Sequence, residues 1–332
     1  MRAWVGWAAS AAILVGGAAL AQQRQRLPAE CRQQLIEMCR GAEGGMRQCA
    51  RTAFPKLSDE CRKAASDGAA ARAERPDGMR EFAYGSDPKQ RLDLMVPAGA
   101  TKAPLLFFVH GGGWSIGDKA AGEATKAPWA NGLGWAFASV NYRLVPQATV
   151  EEQAADLARA LAWARANAVK QGLDPDRTVL MGHSAGAHLV ALLGTDTSYL
   201  AKAGVPLSAI KGIVLLDGAG YDIAQQMASG RNPVESMYDA AFGKDVARQK
   251  ALSPTLHAAA PNAASWLILP IERRQDSQAQ SKALAAGLTK AGARATVVPV
   301  PGESHGSLNT GLGEKGDFAT GEVERFLASI GR

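Results

Sequence analysis

Apolar positions along the chain alternate between short continuous runs and stripes of helical spacing. Residues 105–109 (LLFFV), 137–140, 178–181, 210–216, 266–271 and 295–300 are predicted strands, most of them apolar enough for burial on both faces of a parallel sheet. Residues 81–84 and 91–96 flank the turn cluster Gly85-Ser86-Asp87-Pro88 and read as an antiparallel pair at an edge. Between the runs, Ala154, Leu157, Leu161, Ala164 and Ala168 share one face of a helix over 150–170, and further helices are predicted over 277–291 and 320–330. Strand and helix in alternation imply an α/β fold. It should hold a mostly parallel eight-stranded sheet, helices on both faces, and its chemistry at the carboxyl ends of the strands. A longer insertion over 217–265, with Tyr221, Met227, Met237, Tyr238 and Phe242 as its apolar set, reads as a small lid.

The N-terminus follows another pattern. Arg2 precedes an apolar, charge-free run over 3–20 that ends in Ala19-Leu20-Ala21, the layout of a secretory signal peptide over 1–21. A run so rich in Ala and Gly, and barely long enough to span a bilayer, argues against a retained anchor. The chain is therefore expected to be exported, to a periplasm or beyond. All four cysteines, Cys31, Cys39, Cys49 and Cys61, lie just after this run, and in an exported chain such a cluster reads as a disulfide framework. Two short helices joined by a glycine-rich turn are predicted over 27–66. If they lie antiparallel, Cys39–Cys49 nests inside Cys31–Cys61. Zinc is the poorer reading, because no Cys-x-x-Cys pair or nearby histidine is present. A hairpin this small cannot build a sufficient core, so the bridges would supply its stability. The alanine-rich stretch 67–77 reads as a linker to a catalytic domain over 78–332.

Composition adds one refinement. The formal charge is +6, but residues 22–63 carry nine Lys/Arg against five Asp/Glu, and Arg2 adds one, leaving a single unit for the rest. The basic hairpin is either a solvated face or a contact for an anionic envelope. Its near lack of interleaved aromatics speaks against nucleic acid.

The chemistry gathers around Gly182-His183-Ser184-Ala185-Gly186, which joins the run 178–181 to an apolar helical stripe at Ala187, Leu189, Val190 and Leu193. Strand, sharp turn and helix in that order hold a serine in a strained backbone conformation, lift its hydroxyl to the sheet edge and set it before free helix N–H groups. His110-Gly111-Gly112-Gly113-Trp114 closes the run 105–109. Its glycines let the backbone approach a ligand and aim N–H groups at it, and no Gly-Lys-Ser/Thr follows to make a phosphate loop.

HGGGW at His110, NYRL at Asn141, GHSAGA at Gly182 and Glu303-Ser304-His305-Gly306 together resemble the α/β-hydrolase esterases. The likeness is to the hormone-sensitive-lipase-like carboxylesterases and their kynurenine-formamidase and feruloyl-esterase relatives, over about 79–332. The hairpin resembles the cysteine-rich repeat of the Golgi apparatus protein type, on the Cys31 to Cys39 spacing, the glycine-rich turn and the Leu57-Ser58-Asp59-Glu60-Cys61-Arg62 ending. The first resemblance implies an acyl-enzyme on Ser184. Of the five histidines, His110 and His183 belong to the loops, His188 to the helix core, and His257 would break the order serine, acid, histidine. His305, after the last strand, is the expected base. The acid is expected after the strand 266–271, where Asp276 is favoured, Glu272 is next, and Asp217 or Asp222 comes third. The family's glycine is missing from that loop. Gly112, Gly113 and Ala185 are the expected oxyanion donors. Trp114 is expected to wall the substrate pocket, and Arg143 to support the glycine loop.

These residues imply a serine hydrolase of small-molecule carboxylic esters, with no metal or organic cofactor. An arylformamidase or amidase with the same triad, and an inactive hydrolase-fold binding protein, are the alternatives.

Overall fold

The computed structural model describes residues 29–39, 57, 58, 60, 61, 76–228 and 235–330. The predicted signal peptide over 1–21, Cys49, the predicted linker up to 75 and the middle of the insertion, 229–234, lie outside the described residues. The chain divides into two units, Met1–Glu74 and Arg75–Arg332. In the first, helix α1 (Ala29–Cys39) carries Cys31, which is bonded to Cys61, and the two sulfurs pack with Leu57 in a small buried cluster.

In the second unit eight strands among the described residues form one sheet: β1 (Arg80–Ala83), β2 (Arg91–Met95), β3 (Ala103–Val109), β4 (Ala136–Val140), β5 (Leu173–His183), β6 (Ile210–Leu216), β7 (Ser265–Leu269) and β8 (Arg294–Val297). Their spatial order is β1-β2-β4-β3-β5-β6-β7-β8. β1 and β2 run antiparallel at one edge and the rest are parallel, the arrangement the apolar runs imply. β3 shows why. All its residues are buried, and alternate side chains serve two cores: Leu105, Phe107 and Val109 on one face, Leu106 and Phe108 on the other. Helices α3 (Val150–Ala166), α4 (Ala185–Thr195) and α6 (Gln275–Lys290) cover the first face. Helices α2 (Glu123–Gly132), α7 (His305–Gly311) and α8 (Phe318–Ile330) cover the second, while α5 (Glu235–Phe242) belongs to the insertion and packs into the first core.

Three local departures have physical causes. The helix predicted over 150–170 ends at Ala166, where Asn167 takes a non-helical conformation before a separate turn over Ala168–Gln171. α2 goes unread in the sequence because Pro128 lies inside it and its apolar stripe is weak. His305, expected in a loop, opens α7, since Ser304 and Ser307 cap it reciprocally: Ser304 Oγ accepts from the Ser307 N–H, and Ser307 Oγ from the Ser304 N–H.

Candidate active site

Ser184 lies between β5 and α4 with φ 56° and ψ −121°. Two close approaches keep it there. A Cβ on Gly182 would meet the Gly186 carbonyl oxygen at 2.3 Å, and one on Gly186 would meet that of Val109 at 2.2 Å. The glycines are thus required by backbone crowding. The Ser184 N–H donates to the Leu216 carbonyl at 3.0 Å, which ties the turn to the end of β6.

The structure brings His305 to this turn, with Nε2 2.9 Å from Ser184 Oγ. The acid expected at Asp276 needs correction. The carboxylate at His305 Nδ1 is that of Asp217, whose Oδ2 accepts at 2.6 Å. Asp276 instead accepts from Arg274 Nη2 at 2.8 Å, Glu272 makes no bond to His305, and Asp222 accepts the backbone N–H of Gln225. β6 is the immediate neighbour of β5, whereas β7 is one strand farther away, so a carboxylate closing β6 stands nearer the nucleophile. The signal in the sequence was an aspartate directly after the apolar run 210–216.

Asp217 is buried, and burial alone would raise its pKa. The bond from His305, the charge and bond of Arg274 and the N–H of Ile271 on Oδ1 outweigh this and hold the carboxyl well below its usual range. The group is therefore an anion at any working pH and accepts the Nδ1 proton of His305. That leaves the Nε2 lone pair facing the serine hydroxyl.

His183 and His188 are buried supports of the site. His183 donates Nε2–H to the His305 carbonyl at 2.8 Å, and its ring lies 4.5 Å from that of His305. His188 donates Nε2–H to Leu252 and accepts from Trp114 Nε1 at Nδ1, so both ring nitrogens are committed. His257 bonds the Ala251 carbonyl, away from the serine. Burial pushes His183 down to about 3, assisted by the charge of His305, and His188 down to about 4. An unfolded histidine takes up its proton near 6.5, so acid favours the unfolded chain between there and the folded values. Stability should be full above about pH 6.5 and fall on acidification, by up to about 1.4 kcal/mol per pH unit per histidine. Thermal melts between pH 7 and 4.5 measure this. His188→Gln, which keeps a donor and an acceptor, should flatten the slope, and a melting temperature independent of pH across that window would contradict the account.

Two loops complete the site. Gly112 has φ +121°, and a Cβ there would fall 2.0 Å from the Ile116 carbonyl oxygen, so only glycine fits. Gly113 and Ala185 line the cavity beside Ser184, while Gly112 does not line it. Trp114 lines it as well, and packs edge-on against Tyr238 and Phe242 from α5. NYRL and the residue after it brace the glycine loop: Tyr142 donates its hydroxyl to the His110 carbonyl and stacks on the His110 ring, and the Val145 N–H bonds the Trp114 carbonyl. Arg143 grips the buried Asp156 of α3 through Nε at 2.8 Å and Nη2 at 2.9 Å. The cavity, about 970 Å³, has a mixed lining that includes the apolar Trp114, Met237 and Tyr238 and the polar Gln225, Gln280 and Arg273. The insertion read as a lid supplies Gln225, Met237 and Tyr238 of this lining. Trp114, Ser184 and Asp217 are the non-glycine residues with positive φ among the described residues, at 59°, 56° and 42°, and all three line this cavity. Among the described residues, no group of three or more His, Cys, Asp or Glu side chains is gathered to hold a metal ion.

The profile of the BD-FAE family matches residues 92–284, more than half of the chain. The chain belongs to the BD-FAE family. This BD-FAE chain is 38% identical over 113 residues to a probable isoprenylcysteine alpha-carbonyl methylesterase of Oryza sativa subsp. japonica, which covers 34% of the chain and 26% of that relative. It is 37% identical over 128 residues to Esterase LipC of Mycobacterium tuberculosis, covering 37% of the chain and 32% of the relative. The chain thus spans about a quarter to a third of the length of these relatives. Among solved structures, a truncated carbohydrate esterase from gut microbiota superposes with a TM-score of 0.64 at 23% identity, covering 77% of this chain and 98% of that one. Thermogutta terrifontis esterase 2 phosphonylated by sarin gives 0.62 at 24% identity, covering 78% and 96%. At such identity the likeness establishes the α/β-hydrolase fold of the BD-FAE chain.

Proposed function

We propose that the protein is an exported serine hydrolase of small carboxylic esters. The single observation that supports this most is the unbroken contact Ser184 Oγ to His305 Nε2 to Asp217 Oδ2, at 2.9 and 2.6 Å, on the wall of a cavity. The esterase names of the relatives point the same way. In this reading His305 takes the hydroxyl proton as Ser184 attacks the ester carbonyl, and the resulting oxyanion meets the backbone N–H groups of Gly113 and Ala185, with Gly112 shaping the loop. His305 then gives the proton to the leaving alkoxide, and the alcohol departs. A water, deprotonated by the same imidazole, releases the acid and restores the serine.

One mass-spectrometric experiment on the exported protein tests the reading. A fluorophosphonate should add one label per chain, on the peptide containing Ser184, the mature chain should begin at Gln22, and no free thiol should be found. A label elsewhere, or none, would remove the nucleophile. An N-terminus at Met1 would remove export, and alkylatable cysteines the bridges.

A further inference from the structure

The carboxylate beside His305 is shared with a cation. Oδ2 of Asp217 accepts from His305 Nδ1 at 2.6 Å and from Arg274 Nη1 at 2.7 Å. Nη1 lies 3.1 Å from Nδ1, so two N–H groups converge on one oxygen. With Nδ1 protonated, the arginine cannot also donate to it. The other end of the guanidinium, Nη2, reaches Asp276 Oδ2 at 2.8 Å, and Oδ1 of Asp217 is occupied by the Ile271 N–H at 3.1 Å. Arg274 immediately precedes α6, its own N–H bonded to the Ile271 carbonyl at 3.0 Å. It thus stands in the loop after β7, where the sequence led to the expectation of an acid. The planar fork spans two carboxylates in one fixed geometry, which an ammonium cannot reproduce.

Charge gives Asp276 a part. A protonated His305 forms in each half of the proposed reaction, beside a guanidinium that is always charged. Asp217 offsets one of these two positive charges, and Asp276 offsets the other. Without Asp276 the cluster would become net positive whenever the imidazole accepts a proton.

We infer that Arg274 is a positioning residue of this site: it fixes the Asp217 carboxylate for His305, and Asp276 acts only through Arg274. The inference rests on the Ser184–His305–Asp217 reading above. Partners that orient a metal-ligating side chain carry about 10- to 100-fold when removed, and the same scale is expected for one that orients the triad carboxylate.

The test is a double-mutant cycle on the full chain with p-nitrophenyl acetate, with Ser184→Ala run alongside. Arg274→Ala should lower kcat by about 10- to 100-fold with KM little changed, and millimolar guanidinium should restore part of the loss. Asp276→Asn should cost about threefold or more alone and nothing further in the Arg274→Ala background. Arg274→Gln gives the same comparison should the alanine variant not fold. Unchanged kcat on removing the guanidinium, or an Asp276→Asn effect that persists without Arg274, would overturn the inference while leaving the triad intact. Turnover retained in Ser184→Ala would instead bring down the hydrolase reading itself.

Discussion

Asp217→Asn should lower kcat about 10⁴-fold with little change in KM, whereas Asp276→Asn should cost only severalfold. Asparagine fits the space, but it replaces the charged acceptor at His305 Nδ1 with a neutral amide. When its NH₂ faces the ring, Nδ1 becomes the acceptor and the proton moves to Nε2, where it blocks uptake of the serine proton. Any imidazolium that does form loses its counter-charge and faces Arg274 3.1 Å away. Steady-state kinetics on both variants, with circular dichroism to confirm folding, decide the matter. The reverse ranking would return the acid to Asp276.

Ser184→Ala should reduce kcat by about 10⁵- to 10⁶-fold without lowering the melting temperature. The hydroxyl makes no cap bond to α4 and is hydrogen-bonded to His305, so removal of Oγ leaves the strand, the helix and both cores as they are. What remains is the loop of N–H groups and the pocket, which still bind an ester and orient it toward water. Equal rates in variant and parent would leave a binding protein with a hydrolase fold.

How far the sequence alone could be read follows from what each segment buries. The runs 105–109, 178–181 and 210–216 are legible because both faces of β3, β5 and β6 are covered, so nearly every position must be apolar. β8 is harder to bound, since alternate residues are exposed at the sheet edge and it stops at Val297, short of the apolar run. Ser184 and the glycine loop are legible because a strained turn and a close backbone approach restrict residue type at each position. The acid was not, because composition and spacing do not say which strand ends lie side by side. Asp217 and Asp276 both follow apolar runs, and only the order β5-β6-β7 separates them. Arg274 carried no signal at all. An arginine near an aspartate reads as surface charge until the fold turns both toward one imidazole.

The backbone at Trp114, Ser184 and Asp217 sets heat resistance against reactivity. Conformations of this kind cost on the order of 1–3 kcal/mol each in residues with a side chain, and glycine at any of the three would relax its share. Selection for a tougher fold would therefore erode the nucleophile, its carboxylate or the pocket wall first. A hardened descendant of this chain has to find its gains in the sheet and the helices that cover it.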